Sequence, residues 1–468
     1  MNYEDAFEAL KNGDFPTAVP LLERAARETG YTSDVINNAY TIALHRIGDR
    51  SRLADVAFKV ASLFLDHDPP SALDYFQRAV FAGLDSQRIR QVGQMFESWR
   101  VPGVPQVSAG DTNRVAHVIG CLVPGEAMTQ YMKMLASSLN LQGIRSTIFT
   151  TESAASWFFN PAGVPRSQHV AIDADVRIAS VEGDFFERAD RIARDIRESG
   201  INVVFFHGNL SDQISARVAA LRPAPIQVNV NHDNEMDTDL FDGRIHLFQN
   251  ALQLTRFPHY AEWIPLASDI EQRLQMAKPV TRQSMDLESA TTVSATFGKL
   301  HSVAGSGYLR VLSEIMQRFP KHFHLFAGDG NVRPMRARLH SEGVLPRVRF
   351  LGPLSDVAPL LSMIDIYLAS FPHSGEQMIL EAMGAAKPVV VLRFPSDSTS
   401  NCGAEFVGVR ELIAPGEADY IEIADRLLRT PAFRAAQGKA MVERFRAEFR
   451  AERLGERYKA FIEKFLSY

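Results

Sequence analysis

The sequence predicts an α/β protein: two domains, each built on a parallel sheet, behind an all-helical region at the N-terminus. Three observations lead there. Short apolar runs, at 201–206, 226–230, 322–327 and 389–392, alternate with amphipathic stretches of helical period, the pattern of buried parallel strands joined by helices. The first 98 residues are instead dense in helix formers, and Gly13, Gly48 and Gly83 recur there at 35-residue intervals. The 468 residues exceed one ordinary domain, so two or three are expected.

Composition narrows the class. Hydrophobic residues make up 46% and charged residues 22%, as in a globular protein. The net charge of −5 offers no basic footprint, so nucleic acid is excluded as a partner. Cys121 and Cys402 are far apart and form neither a disulfide framework nor a metal-ligand pattern, which predicts a cytoplasmic protein with no metal. The opening MNYEDAFEAL is acidic and lacks an apolar signal core. No run approaches the roughly 20 apolar residues of a membrane span, so no transmembrane segment is expected.

Taken in order, residues 1–98 carry helical stripes at Ala6, Leu10, Phe15, Ala18, Leu22 and Ala25. The period lies near the roughly 34 residues of a tetratricopeptide unit. The region resembles tetratricopeptide repeats, with a generic helical bundle as the alternative. Helix pairs stacked in this way present a surface to a protein partner. Residues 99–113, rich in Pro and Gly with little periodicity, read as a linker.

Residues 114–267 read as a first Rossmann-like domain. A strand at 115–123 meets the turn Pro124-Gly125-Glu126 and a helix at 128–141, with the next strand at 146–150. There is no GxGxxG, so no dinucleotide site is predicted. A helix at 185–199 precedes the strand 201–206, which ends at His207-Gly208-Asn209. After a helix at 212–221, the strand 226–230 ends at His232-Asp233-Asn234-Glu235. A single loop histidine is more often a surface or hydrogen-bonded residue. Two at successive strand ends, where α/β ligand sites lie, favour function for one of them. His232, beside Asp233 and Glu235, is the better candidate for a catalytic base or sugar contact, because imidazole titrates near neutrality.

Residues 268–290 read as a connection, and 268–445 as a second Rossmann-like domain. Its first strand, 291–298, leads into Lys299, a residue that is otherwise simply solvated at a strand end. The strand 322–327 ends in Gly328-Asp329-Gly330, and 347–351 in Gly352-Pro353. Residues 369–392 then give strand end, loop, helix (376–385) and strand (389–392). The loop holds His373 and Gly375. The amides near Glu376, Gln377 and Met378 open the helix, where free N–H groups favour a diphosphate. Glu381 lies about one and a half turns in. Residues 446–468 read as a terminal helix crossing back to the first domain.

Several stretches resemble known families. The run Ile379-Leu380-Glu381-Ala382-Met383 with Lys387-Pro388-Val389-Val390 looks like the donor-site helix of retaining GT-B glycosyltransferases. Arg222-Pro223-Ala224-Pro225-Ile226-Gln227-Val228, and Glu411-Leu412-Ile413-Ala414 with Tyr420 to Ala424, are similar to stretches of the protein O-GlcNAc transferase family and its bacterial relatives.

The resemblance covers residues 115–468. It implies a GT-B fold, with two Rossmann-like domains facing a cleft, and transfer from a nucleotide sugar without a cofactor or metal. It places Lys299, Gly328, Gly330, Gly352, Gly375, Glu376, Gln377, Met378 and Glu381 at the donor, with Glu381 on the ribose. It places Gly125, Glu126, His207 and His373 on the sugar or acceptor side, and His232 across the cleft as the catalytic candidate. The family has a glutamate where His373 stands, so retention or inversion is left open. The expected donor is UDP-linked, such as UDP-GlcNAc or UDP-glucose, and the expected acceptor a protein side chain. Polysaccharide or glycolipid assembly, and an inactive subunit that stabilises a partner glycosyltransferase through the helical repeats, stand as alternatives. Homo-oligomerisation is left open.

Overall fold

The computed structural model describes residues 3–103, 105, 113–153, 166–208, 212–232, 238–249, 261–287, 292–298, 300, 303, 307–393 and 403–466. Six helices open the chain: α1 (Glu4–Lys11), α2 (Phe15–Glu28), α3 (Asp34–Ile47), α4 (Arg50–Phe64), α5 (Pro69–Ala82) and α6 (Ser86–Ser98). The glycines at 35-residue intervals are the turns between α1 and α2, α3 and α4, and α5 and α6, and the first two of these pairs pack as hairpins. Gly13, Gly48 and Gly83 all take positive φ, which a β-carbon disfavours. An aspartate one or two residues on caps each second helix: Asp14 accepts from the Thr17 N–H, Asp49 from Arg52 and Asp85 from Arg88. Ala6, Ala18, Leu22 and Ala25 are buried as the stripes require, and Leu10 and Phe15 pack against them.

The first sheet has seven strands: β1 (Arg114–Ile119), β2 (Arg145–Thr150), β3 (Asp175–Arg177), β4 (Val203–Phe206), β5 (Ile226–Asn231), β6 (Gly243–His246) and β7 (Ala261–Trp263). Their order is β3-β2-β1-β4-β5-β6-β7, with β1 to β5 parallel. Helices α7 (Ala127–Leu141), α8 (Phe185–Glu198) and α9 (Gln213–Ala220) alternate with these strands. The segment predicted as a linker is tied down at its start. The Trp99 ring meets Phe96 and Phe186 edge-on at 5.2 and 5.5 Å, and the Arg217 guanidinium lies over it at 5.6 Å. The Val101 N–H donates to the Ala220 carbonyl at 3.1 Å.

The second sheet has six strands: β8 (Thr292–Phe297), β9 (His322–Ala327), β10 (Val348–Phe350), β11 (Ile366–Leu368), β12 (Val389–Leu392) and β13 (Ile413–Ala414). Their order is β10-β9-β8-β11-β12-β13, all parallel. The accompanying helices are α10 (Ile270–Met276), α11 (Tyr308–Arg318), α12 (Arg333–Ser341), α13 (Ala358–Leu361), α14 (Glu376–Gly384), α15 (Gly403–Val407), α16 (Glu417–Arg429), α17 (Pro431–Glu448) and α18 (Ala451–Leu466). The strand expected at 115–123 ends at Ile119. The closing helical region is two helices, broken where the Phe449 carbonyl accepts from the Ser268 N–H at 2.8 Å.

The chain forms two compact units. One is Met1–Ile245 with Arg256–Glu262 and Lys464–Tyr468, and the other is His246–Thr255 with Trp263–Glu463. Each sheet reverses strand order once, at β1/β4 and at β8/β11, and ligands of open parallel sheets bind outside the carboxyl ends at such points. Among the described residues no helix is long and apolar enough to cross a membrane.

Candidate active site

In the second unit, the turns after β8, β9 and β10 meet through their backbones. The Gly298 N–H donates to the Ala327 carbonyl at 2.9 Å, the Gly328 N–H to Gly352 at 2.8 Å, and the Leu300 N–H to Asp329 at 2.8 Å. Gly328 has φ of 144°, and a β-carbon built on it would lie 1.7 Å from the Gly298 carbonyl oxygen. Only glycine fits there. The fourth predicted turn joins the same group: a β-carbon on Gly375 would lie 3.5 Å from the Phe297 carbonyl oxygen. Gly298, Gly328, Gly352 and Gly375 thus cluster at the carboxyl ends of adjacent strands, around the β8/β11 switch point. Gly330, with φ of 141°, follows on the exposed side. Lys299 lies outside the described residues.

Gly375, in the left-handed conformation, opens α14 without a side-chain cap. The Gln377 N–H donates to none of the described groups, so it points out as a helix N-terminus requires. The Met378 N–H does not: it donates to the Gly375 carbonyl at 2.9 Å, which removes it from the anion-binding set. Glu376 puts a carboxylate beside this end, held by the Ser374 hydroxyl at 2.6 Å. His373 is exposed on the preceding turn, and its carbonyl accepts from the Ser370 hydroxyl at 2.7 Å.

Glu381 departs from its expected role. Only 2% of the residue is exposed, and its carboxylate already has three partners. The Ser268 hydroxyl donates at 2.9 Å, the Gln377 amide at 3.1 Å, and the Arg273 guanidinium pairs with the other oxygen. Arg273 also pairs with Asp269 and Asp356. Burial pushes the Glu381 pKa up, against the pull of Arg273. The side chain joins α14 to α10 in the interior and is not turned toward a ribose. Glu381 was expected to reach a ligand from its place along the helix. Its neighbours Ile379, Leu380, Ala382 and Met383 are all buried too, so the helix is enclosed on every side here.

In the first unit the two predicted histidines are joined by a third. His117 lies within β1, and His207 and His232 follow β4 and β5. The His117 Nδ1 is 3.0 Å from the His207 Nε2, and the His207 Nδ1 is 3.1 Å from the His232 Nε2. Burial lowers the His117 pKa to about 3 and holds His207 well below its usual value, with both neighbouring imidazoles adding to the effect. His207 is therefore a buried link and not a surface group. His232 is half-buried, and Asp233 and Glu235 lie outside the described residues. Gly125 and Glu126 are exposed on the turn before α7.

Sequence reasoning missed His117, which reads as one polar residue in an apolar strand. It also missed Asp212 and Glu152 at the same sheet edge. Asp212 caps α9 through the Ser215 N–H and accepts from the Thr151 hydroxyl at 3.0 Å, and burial raises its pKa to about 6. Glu152, with φ of 51°, accepts from the Thr150 hydroxyl at 2.7 Å and the Ser167 N–H at 3.0 Å. The one sequence signal for Glu152 is a carboxylate directly after a strand.

Comparison with known proteins agrees with this architecture. Residues 295–430, from within β8 to the end of α16, match the family described as Glycosyl transferases group 1. A stretch of 253 residues is 24% identical to the probable UDP-N-acetylglucosamine–peptide N-acetylglucosaminyltransferase SPINDLY of Petunia hybrida, covering 51% of this chain and 27% of that protein. A stretch of 116 residues is 31% identical to the lipopolysaccharide core biosynthesis glycosyltransferase LpsE of Rhizobium meliloti (strain 1021), covering 24% of this chain and 33% of that protein. The chain therefore spans about a third or less of the length of these curated relatives. Among solved structures, a point mutant of the Thermobaculum terrenum O-GlcNAc transferase superposes with a TM-score of 0.62 at 16% identity, over 98% of this chain and 89% of that one. That likeness shows the fold: GT-B sheets behind a helical region.

Proposed function

We propose that this chain, whose residues 295–430 are a glycosyl transferase group 1 domain, moves a sugar from a UDP-linked donor to a protein side chain. One observation carries the donor half. Four glycine turns and the N-terminus of α14 gather at the switch point of the second sheet. Without β-carbons, the backbone there admits a diphosphate to close range, and the Gln377 N–H and the helix dipole face it. Lys299, next in sequence to Gly298, is the residue we assign to neutralise the diphosphate. The leaving diphosphate is then stabilised electrostatically, with no metal required. In the first sheet, His232 is the polar contact to sugar or acceptor.

The helical hairpins and the likeness to SPINDLY and to the Thermobaculum enzyme support a protein acceptor. The likeness to LpsE supports a second reading, transfer to a glycolipid or polysaccharide. Calorimetry with UDP, followed by transfer assays with UDP-GlcNAc and UDP-glucose on peptide and lipid-linked acceptors, separates them. UDP binding with peptide glycosylation is the expected result. Turnover on lipid-linked acceptors alone selects the second reading. UDP binding without turnover on any acceptor contradicts both.

A further inference from the structure

We propose that the open edge of the first sheet is a two-fold interface, at which β3 pairs antiparallel with β3 of a second copy of this chain in a register centred on Val176. The interface is independent of the transfer reaction proposed above.

β3 is the last strand of its sheet and pairs with β2 alone. Among the described residues nothing continues the sheet past it. The outer row of N–H and C=O groups of such a strand is a template for another chain. Proteins that must keep an edge from pairing blunt it with lysine or proline, or with charges of one sign, which repel their own copy. Residues 166–184 hold no lysine and no proline. The charges on β3 itself, Asp175 and Arg177, are of opposite sign and two positions apart, and so lie on one face of the strand.

Symmetry then selects a register. In a two-fold antiparallel pair every contact occurs twice, residue i against j and j against i. Centred on Val176, the pairing sets Asp175 of each copy directly opposite Arg177 of the other, and Val176 meets its own counterpart on the other face. Both cross-strand charge pairs are then attractive. Moving the centre to Asp175 or to Arg177 sets like charges against each other, which destabilises the pair. A slip by one residue sets charge against apolar side chain. The register on Val176 avoids both faults.

The charged groups are already in place. The Arg177 Nε donates to Asp175 at 3.1 Å and its Nη1 to the Ser199 hydroxyl at 3.2 Å, and the guanidinium lies over the Phe149 ring at 5.4 Å. The Asp175 side chain is nonetheless 58% exposed and that of Arg177 43%. A second copy therefore meets charges with little rotamer freedom left to lose. The five donors of the guanidinium and the several acceptor sites of the carboxylate let the cross-strand pairs add to the in-chain one. Apolar side chains surround the same edge. Between residues 114 and 245, the exposed large apolar side chains among the described residues are Leu141, Ile178 and Val181, at 71, 50 and 42%. Ile178 follows β3 directly and falls diagonal to Val176 of the second copy. Leu141 borders the strand, because its neighbour Asn140 donates to the Asp173 carbonyl at 2.8 Å. A gathered set of exposed apolar side chains with a polar rim marks an association surface.

The test is sedimentation velocity on the full-length protein over a dilution series. The wild type is expected to form a reversible dimer. Asp175→Arg and Arg177→Asp each set like charges at both cross-strand pairs, and each is expected to raise the dimer Kd at least about tenfold. An equimolar mixture of the two single variants restores opposite charges only across the interface, so a heterodimer with a Kd near that of the wild type is expected. Loss of the in-chain ion pair alone gives no such rescue. If the charge variants do not fold, Val176→Cys serves. A residue on the two-fold axis stands within disulfide reach of its own counterpart, so oxidation is expected to give a covalent dimer linked through position 176. A wild type that stays monomeric at every concentration, a dimer that neither reversal weakens, single variants that fail to associate when mixed, or the absence of a link through position 176 overturns the proposal.

Discussion

Gly328 lies against the Gly298 carbonyl so closely that a β-carbon on it would stand 1.7 Å from that oxygen. Two turns predicted separately from sequence are one backbone contact. Gly328→Ala must push β8 and β9 apart at their carboxyl ends or abandon the positive φ. The expected stability loss is about 2 kcal/mol or more, with UDP affinity lowered at least tenfold. Gly125→Ala is the control, since it shares positive φ and has open space around the added carbon. Urea denaturation and UDP calorimetry on both variants check this. A Gly328→Ala protein that binds UDP like the wild type sets the glycine cluster aside as a donor site.

Glu381→Gln separates a structural from a ligand-binding glutamate. Removing the charge leaves the Arg273–Asp269–Asp356 group without its most buried member, and breaking such a pair costs about 3 kcal/mol. Stability is expected to fall, with UDP affinity within about threefold of wild type once folding is accounted for. Lost UDP affinity at unchanged stability would return the residue to the ribose.

The buried histidines make stability depend on pH. His117 and His322 are held neutral by burial, with pKa values lowered to about 3. Below an unfolded value near 6.5 the unfolded chain binds protons that the folded chain refuses, so stability falls as pH drops from about 6.5 toward 3. Each histidine contributes a loss of about 2 kcal/mol by pH 5. Asp212, raised to about 6 by burial, acts in the opposite sense. The comparison is therefore between variants: His117→Phe is expected to lose about 2 kcal/mol less than wild type between pH 7.5 and 5.0. Equal losses in urea denaturation would show that His117 is charged or exposed in the folded protein.

Trp99 joins α6 to α8 and α9 through Phe186, Arg217 and its own backbone. Trp99→Ala is expected to cost about 2 kcal/mol, less than for a fully buried tryptophan. It should also lower the unfolding midpoint of the first sheet along with that of the helices. A helical region that unfolds separately, leaving tryptophan-independent probes of the sheet unmoved, contradicts that coupling.

Much of the fold could be read because local signals match local structure. Strands buried on both faces are continuous apolar runs, and 322–327 and 389–392 coincide with β9 and β12. The 35-residue glycine spacing marked three turns between helices, and the aspartates that cap the helices after them emerged only from the structure. What escaped depends on strand order, which no local signal holds. Gly298 meets Gly328, and His117 meets His207, only because β8 neighbours β9 and β1 neighbours β4. The Arg273–Glu381 pair spans 108 positions, and a helical wheel alone does not say which faces of α14 are covered.

The central claim is that a nucleoside diphosphate rests on the glycine turns at the N-terminus of α14. Hydrogen–deuterium exchange with and without saturating UDP tests it most directly. Slower exchange is predicted in peptides spanning 328–333 and 374–379, centred on the Gln377 amide. Absence of UDP binding, or protection confined to other parts of the chain, would contradict it.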